Sequence, residues 1–286
     1  MAEGTYRDNV RGRRVRLELK RLREQSKYTL AYVGGKVGIS GSKLSRMENG
    51  RRAMNADDVS ALLGFYAAPR PLRQTLLKLV RESNTPGWWD RGDMQLHDEL
   101  QFWIEVEDHA TSMRNYQPLL IPGLLQTEAY ARAVIAGYGV PLTDQEIGDR
   151  VAARLGRQKL LYRRTGFKIH VVLHEAALHQ QIGGPYVMCE QLGHLLQLSK
   201  LATVTLQVVP SGVGAHPGLG DGPFVLLDFQ SLASLVHLEN KVSSLYLEAK
   251  SDVETYTVAF NEILAVAYGP EGSRELIQAI IDTPPG

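Results

Sequence analysis

The stretch from Thr29 to Gly50, TLAYVGGKVGISGSKLSRMENG, constrains the fold more than any other part of the chain. Behind Thr29, a good N-cap, Leu30, Val33 and Val37 recur at helical spacing. Gly38 is a natural helix stop. After Ile39, Ser40 can cap a second helix whose Leu44 and Met47 face inward, and Asn49-Gly50 ends it because both residues tolerate positive φ. Two helices this short are marginal alone and need neighbours to bury their apolar stripes. The flanks supply them. Arg13–Gln25 carries Val15, Leu19 and Leu22 on one stripe. Asn55 can cap a helix with Asp57 and Asp58 in its first turn, where the dipole favours anions, and with Val59, Leu62, Leu63 and Tyr66 inward. Pro71 opens a fifth helix with Leu72, Leu76, Leu79 and Val80 inward. The expectation is an all-α five-helix domain over residues 1–83.

The joint of about three residues between the second and third helices is helix-turn-helix spacing. In that motif the second helix enters the major groove and its first turns reach base edges. Here those turns offer Ser40, Ser42, Lys43, Ser45 and Arg46 as candidate base contacts. Arg13, Arg14, Thr29, Arg51 and Arg52 are placed for phosphates. Charge agrees with this: residues 1–83 hold 18 Lys and Arg against 8 Asp and Glu, while the remaining residues hold 14 against 23. The chain's formal charge of +1 conceals a basic first third joined to an acidic remainder, the asymmetry of a nucleic-acid module attached to something else. Periodicity alone leaves open a small helical bundle with a solvated basic face.

The words LREQSKYTLAYVGGKVGISGSKLSRMENGRR resemble the XRE-type helix-turn-helix family. Leu22, Arg23, Thr29, Val33, Gly38, Ser40, Ser42, Leu44, Ser45, Arg46, Met47, Glu48 and Gly50 fall on its pattern. The resemblance implies double-stranded DNA as partner, paired half-sites and hence a homodimer, with Glu48 supporting the turn rather than touching DNA. Leu30 and Gly41 stand where the family usually has glutamines that meet DNA. Gly34 stands for its usual alanine, and with Gly35 should cost on the order of 1 kcal/mol each relative to alanine. Readout therefore shifts to the remaining side chains of the third helix or to DNA shape.

Pro, Gly and a polarity change in SNTPGWWDRGD, Ser83 to Asp93, mark a boundary, with Trp88 and Trp89 packing the two parts together or meeting a partner. The second domain is expected over residues 84–286. From Leu96 to about Arg164 its pattern is helical, with a helix starting near Gln126 and a capping box, Thr143 to Glu146, opening a long one. FKIHVVL, ATVTLQVVP, GPFVLLDF, SLVHLEN and SLYLEA then read as strands. A helix separates the first two. A second capping box, Ser251 to Glu254, opens a helix to about Ala267, and a last helix runs from Ser273 to Ile281. This is an α+β domain: helices, a small mostly antiparallel sheet, then terminal helices.

The chemistry on offer is sparse. His174 and His179 are five apart, whereas a metal-binding helix needs four, so no metal is expected. The glycine-dense GVGAHPGLGDG lacks a Lys-Ser/Thr pair and precedes a strand, so it does not read as a phosphate loop. His216 and Asp221 within it are candidates to line a ligand or partner loop. The single cysteine, Cys189, sits among Val187, Met188 and Leu192 and reads as buried. No nucleophile elbow or carboxylate pair stands out, so no enzymatic activity and no cofactor is expected. An enzyme with an appended helix-turn-helix and an interaction protein with weakened DNA contact are the alternatives. No apolar run reaches the roughly 18 residues of a membrane span, and the first residues read as no secretory signal; a cytoplasmic location is expected.

LIPGLLQTEAYARAVI, HEAAL, GGPYVMCEQLGHLLQL, VTLQVVPSGVGAHPGLGDGPFVLLDF and LYLEAKSDVETYTVAFNEI resemble the second domain of actinobacterial, WhiJ-like, antitoxin-like XRE regulators. That resemblance implies a transcriptional regulator with a small acidic partner of the BldB-like type, encoded by a neighbouring gene.

Overall fold

The computed structural model describes residues 10–83, 98–139, 141–163, 166–230, 233–240 and 243–283. Trp88 and Trp89, with the expected boundary, lie outside these residues. The chain divides into two compact units, the first continuing to Val106 and the second taking up the chain at Glu107.

In the first unit, α1 (Val10–Gln25), α2 (Leu30–Val37), α3 (Gly41–Glu48), α4 (Ala56–Phe65) and α5 (Arg70–Ser83) are the five expected helices. Each expected cap is made: Thr29 Oγ1 accepts from Tyr32 N at 3.2 Å, Ser40 Oγ from Lys43 N at 3.1 Å and Asn55 Oδ1 from Asp58 N at 2.7 Å. Gly38 ends α2 at φ 72°, left-handed backbone that glycine enters without a Cβ clash. Val15, Leu19, Val33, Leu44, Met47, Val59, Leu62, Leu63, Leu76 and Val80 form the buried interior. Phe65 stands 5.4 Å from the Tyr28 ring and 6.3 Å from the Tyr32 ring, joining the end of α4 to the start of α2. α6 (Asp98–His109) follows.

The second unit is built on one mixed sheet of six strands: β1 (Ser112–Gln117), β2 (Lys168–His174), β3 (Val204–Val209), β4 (Phe224–Asp228), β5 (Leu235–Asn240) and β6 (Ser243–Leu247). Their order is β3-β2-β1-β4-β5-β6. The first three strands run parallel, with Ser112 opposite Lys168 and Ile169 opposite Val204, and the other three pairings are antiparallel. Between the strands lie α7 (Glu128–Ala136), α8 (Asp144–Arg157), α9 (Ala176–His179), α10 (Pro185–Leu198) and α11 (Gly218–Asp221), and α12 (Lys250–Val266) and α13 (Pro270–Asp282) close the chain.

β1 corrects the expectation that the pattern from Leu96 to about Arg164 is helical, without a strand. SMRNYQ is polar in four of six positions, yet it is an inner strand, with Met113, Asn115 and Tyr116 buried. Its polar groups are used: Arg114 lies 3.5 Å from Asp228, and Gln117 Nε2 donates to Asn115 Oδ1 at 3.1 Å. The capping box at Thr143 is present in full, but α8 gives way to a 3-10 turn at Gln158. The expected box at Ser251 is not formed. α12 starts at Lys250, after Ala249, and has no side-chain cap.

One face of the sheet packs Tyr116, Val172, Phe224, Leu226 and Val236 against Ala259, Phe260 and Ile263 of α12. At the β3 edge, Ser273 Oγ accepts from Val208 N at 2.9 Å and Tyr268 N donates to Val208 O at 2.8 Å. The start of α13 thus covers backbone groups that could template pairing with another strand. α13 begins three residues earlier than expected, with Pro270 at its first position, where the missing N–H costs nothing.

Candidate nucleic-acid interface

α3 is amphipathic in a way that fixes what it can present. Leu44, Met47 and Glu48 are buried against the rest of the unit. At 100° per residue the opposite face carries Ser42, Arg46 and Asn49, and all three are exposed.

The helix is seated by a buried ion pair. Arg23 of α1 sends Nε to Glu48 Oε1 at 2.8 Å and Nη2 to Oε2 at 2.8 Å, with side-chain exposures of 14% for the guanidinium and 4% for the carboxylate. Arg23 Nη1 also donates to Tyr28 O at 3.2 Å, tying the turn before α2 into the same contact. The hydrogen bonds that Arg23 donates to Glu48 hold the arginine pKa above its ordinary value. The structure thus gives Glu48 the supporting role the resemblance implies.

Gly34 meets the turn at close range. A Cβ there would lie 2.3 Å from Ile39 O, so the α2–turn contact needs a residue without one; a Cβ at Gly35 would meet nothing within 4 Å. A Cβ at Gly41 would make ordinary contact with Ala31 Cα at 3.5 Å, so α3 begins against the start of α2.

The candidate base-reading residues occupy different situations. Ser42 and Arg46 are open. Ser40 is exposed, but its hydroxyl caps α3 and lies 3.2 Å from Ser42 Oγ. Ser45 is half-buried, and Asn49 Nδ2 donates to its carbonyl at 2.8 Å. Lys43 is turned to α4, with Nζ 2.6 Å from Asp58 Oδ2. That contact is an ion pair without a well-aligned hydrogen bond to Oδ2. In the sequence Asn49 reads only as a helix terminator and Asp58 only as a dipole partner. The seven-residue step from Ser42 to Asn49 was the signal that could have found the first.

Of the phosphate candidates, Thr29 is exposed at the N-terminus of α2, and Arg51 and Arg52 are exposed just after α3. The side chains of Arg13 and Arg14 lie outside the described residues. The exposed set gives a short polar reading face with cations at its end, able to donate to guanine edges from Arg46 and to phosphates from Arg51 and Arg52.

In the second unit His216 stacks on His174, ring centroids 5.9 Å apart, and meets the Tyr116 ring edge-on at 6.3 Å. These residues gather at the carboxyl ends of β1 and β2. Both His216 ring nitrogens and the Tyr116 hydroxyl are buried and without a hydrogen-bond partner among the described residues. Burial, then the nearby His174, lowers the His216 pKa, and burial pushes Tyr116 up to about 12. Ala176 N donates to His174 Nδ1 at 3.1 Å, so the neutral ring carries its proton on Nε2. Asp221 ends α11, and its side chain lies outside the described residues. Among the described residues no group of three or more His, Cys, Asp or Glu could hold a metal.

The words LLQTEAY and CEQLGHLL serve the interior. Gln191 Oε1 accepts from Thr127 N and its Nε2 donates to Leu125 O, both at 2.7 Å. Gln126 Nε2 donates to Ile121 O at 2.7 Å and its Oε1 accepts from Arg154 at 3.0 Å. Arg157 Nη2 donates to buried Glu107 at 2.8 Å. Cys189, expected buried, is exposed; α10 buries Met188, Gln191, Leu192 and Leu195 instead. Among the described residues no helix is long and apolar enough to cross a membrane.

Residues 14–76 match a helix-turn-helix domain family. Residues 100–279 match a domain of unknown function, DUF5753. No curated protein and no solved structure matches the chain. The helix-turn-helix match covers α2, α3 and the ion pair that seats them, so the first unit is a DNA-binding domain of that type.

Proposed function

Because this chain belongs to the DUF5753 family and carries a DNA-binding helix-turn-helix domain ahead of that domain, we propose that it is a sequence-specific transcriptional regulator of the WhiJ-like type. The observation that carries the reading is the exposed face of α3, with Ser42, Arg46 and Asn49 on a helix seated by Arg23 and Glu48. Arg46 reads a base edge, Ser42 and Asn49 extend the readout, and Ser40 at the start of that face and Ser45 along its side complete it. Arg51 and Arg52 bind phosphates. The protein works as a homodimer on paired half-sites about one helical turn apart, and it performs no catalysis. The second unit binds a partner protein, of the small acidic BldB-like kind, or an effector at the loop bearing His216 and Asp221.

Repeated selection of a randomised pool of duplexes on the purified full chain tests this. A recovered two-fold symmetric motif that Arg46→Ala fails to enrich supports the reading. A pool that stays random, with the small acidic partner absent and present, refutes it. Enrichment only with the partner would favour the alternative of an antitoxin-like protein whose DNA binding depends on its partner, a reading that Leu30 and Gly41, without side chains suited to DNA, support.

A further inference from the structure

Lys43 is the one cation on α3 besides Arg46, yet it is withheld from the reading face. It lies about 100° around the helix from Ser42, on the flank toward α4. Its ammonium stands 2.6 Å from Asp58 Oδ2, with side-chain exposures of 26% and 14%. Asp58 is held in place: its own N–H is capped by Asn55 Oδ1, and it sits in the first turn of α4.

We propose that Asp58 is a specificity-determining residue, which holds Lys43 in a neutral pair and so keeps this cation from adding sequence-independent affinity for DNA. The inference rests on the reading of α3 as the groove helix. A free lysine on the flank of such a helix would neutralise a phosphate on any duplex, and the released counterion would strengthen specific and random binding alike. Freeing Lys43 for that contact would leave the Asp58 carboxylate beside the phosphates, where it repels them. The pair acts against wrong sites while leaving the Arg46 face untouched, a repulsive element of the kind that raises discrimination. Asp58 acts through Lys43 and is a positioning residue.

The test is the salt dependence of binding to a random duplex, measured by fluorescence anisotropy on the full chain. Asp58→Asn, close in shape and uncharged, should steepen the slope of log K against log salt by about 0.9. The loss of affinity between 50 and 200 mM salt should then be about 3.5-fold larger than in the unaltered chain. Affinity for the random duplex should rise and the ratio of selected to random binding should fall. Asp58→Glu should restore the original slope. In a Lys43→Gln background Asp58→Asn should not steepen the slope by about 0.9, because there is no lysine to free, while relief of the carboxylate's repulsion raises affinity for both duplexes alike. Lys43→Gln alone, which leaves the α4 cap intact, should leave the slope of the unaltered chain unchanged. A drop of about 0.9 with Lys43→Gln alone would overturn the proposal. So would an unchanged slope in Asp58→Asn, or a slope steepened equally with and without Lys43. Failure of the unaltered chain to bind either duplex at low salt would instead overturn the groove-helix reading itself.

Discussion

Replacing Arg23 by alanine removes the partner of a carboxylate that has almost no solvent. Glu48 keeps a side-chain exposure of 4%, and its oxygens receive Nε at 2.8 and 3.1 Å and Nη2 at 2.8 Å from Arg23. An exposed pair would be worth 1 kcal/mol or less. Here the loss strands a buried charge, which costs about 3–5 kcal/mol, and the Tyr28 carbonyl loses its donor as well. A small domain has about 5–15 kcal/mol in all, and each kcal/mol moves a midpoint by about 4–8 °C for 60–100 residues. The Arg23→Ala chain should therefore lose at least about 12 °C in the helical unit, read by hydrogen exchange at the Leu44 and Met47 amides during thermal unfolding. It should also lose DNA binding, because α3 is no longer seated. One signature separates charge burial from lost packing: adding Glu48→Gln to Arg23→Ala should recover part of the loss, because it removes the stranded charge. A cost below about 1 kcal/mol, or one that Glu48→Gln leaves unrelieved, would refute the reasoning.

Gly35→Ala should stabilise the first unit by about 0.5–1 kcal/mol in denaturant unfolding, since its Cβ meets open space, whereas Gly34→Ala should destabilise it because the Ile39 carbonyl must move; equal effects would show the close approach to be unimportant. Arg46→Ala should weaken a selected duplex by about 1–3 kcal/mol while Arg51→Ala weakens selected and random duplexes about equally, and anisotropy with the reverse pattern would exchange their roles. In the second unit burial is the main cause lowering His170, His194 and His216 below their ordinary pKa. A group whose folded pKa is depressed binds its proton more readily when unfolded, so its stabilisation is full above the unfolded value near 6.5 and declines as pH falls through the window below it. The urea midpoint should therefore decrease from pH 7 to pH 5; a midpoint that rises on acidification would contradict the burial of these rings.

Local signals were legible where one residue type has one physical use. Thr29, Ser40, Asn55 and Thr143 cap helices as their side chains dictate, and Gly38 takes the left-handed backbone that the joint needs. β1 was hidden because an inner strand can be polar when its side chains are paired: Ser112 and Arg114 reach Asp228, far off in sequence, while Gln117 donates to Asn115 two residues away. Ser251 was misread for the same reason in reverse: a capping-box pattern says nothing of where the backbone turns, and α12 begins one residue before it. Of the interface, the exposed face at Ser42 and Arg46 follows from periodicity. The fate of Lys43 does not, because its partner Asp58 belongs to another helix and only tertiary packing brings the two to 2.6 Å.

The most direct test of the central claim is fluorescence anisotropy of the full chain on a duplex from its own promoter and on a scrambled duplex of equal length, across a salt series. Binding to the promoter should be tighter at every salt concentration, with both affinities falling steeply as salt rises. Equal affinities for the two duplexes throughout the series, with and without the neighbouring gene's product, would contradict it.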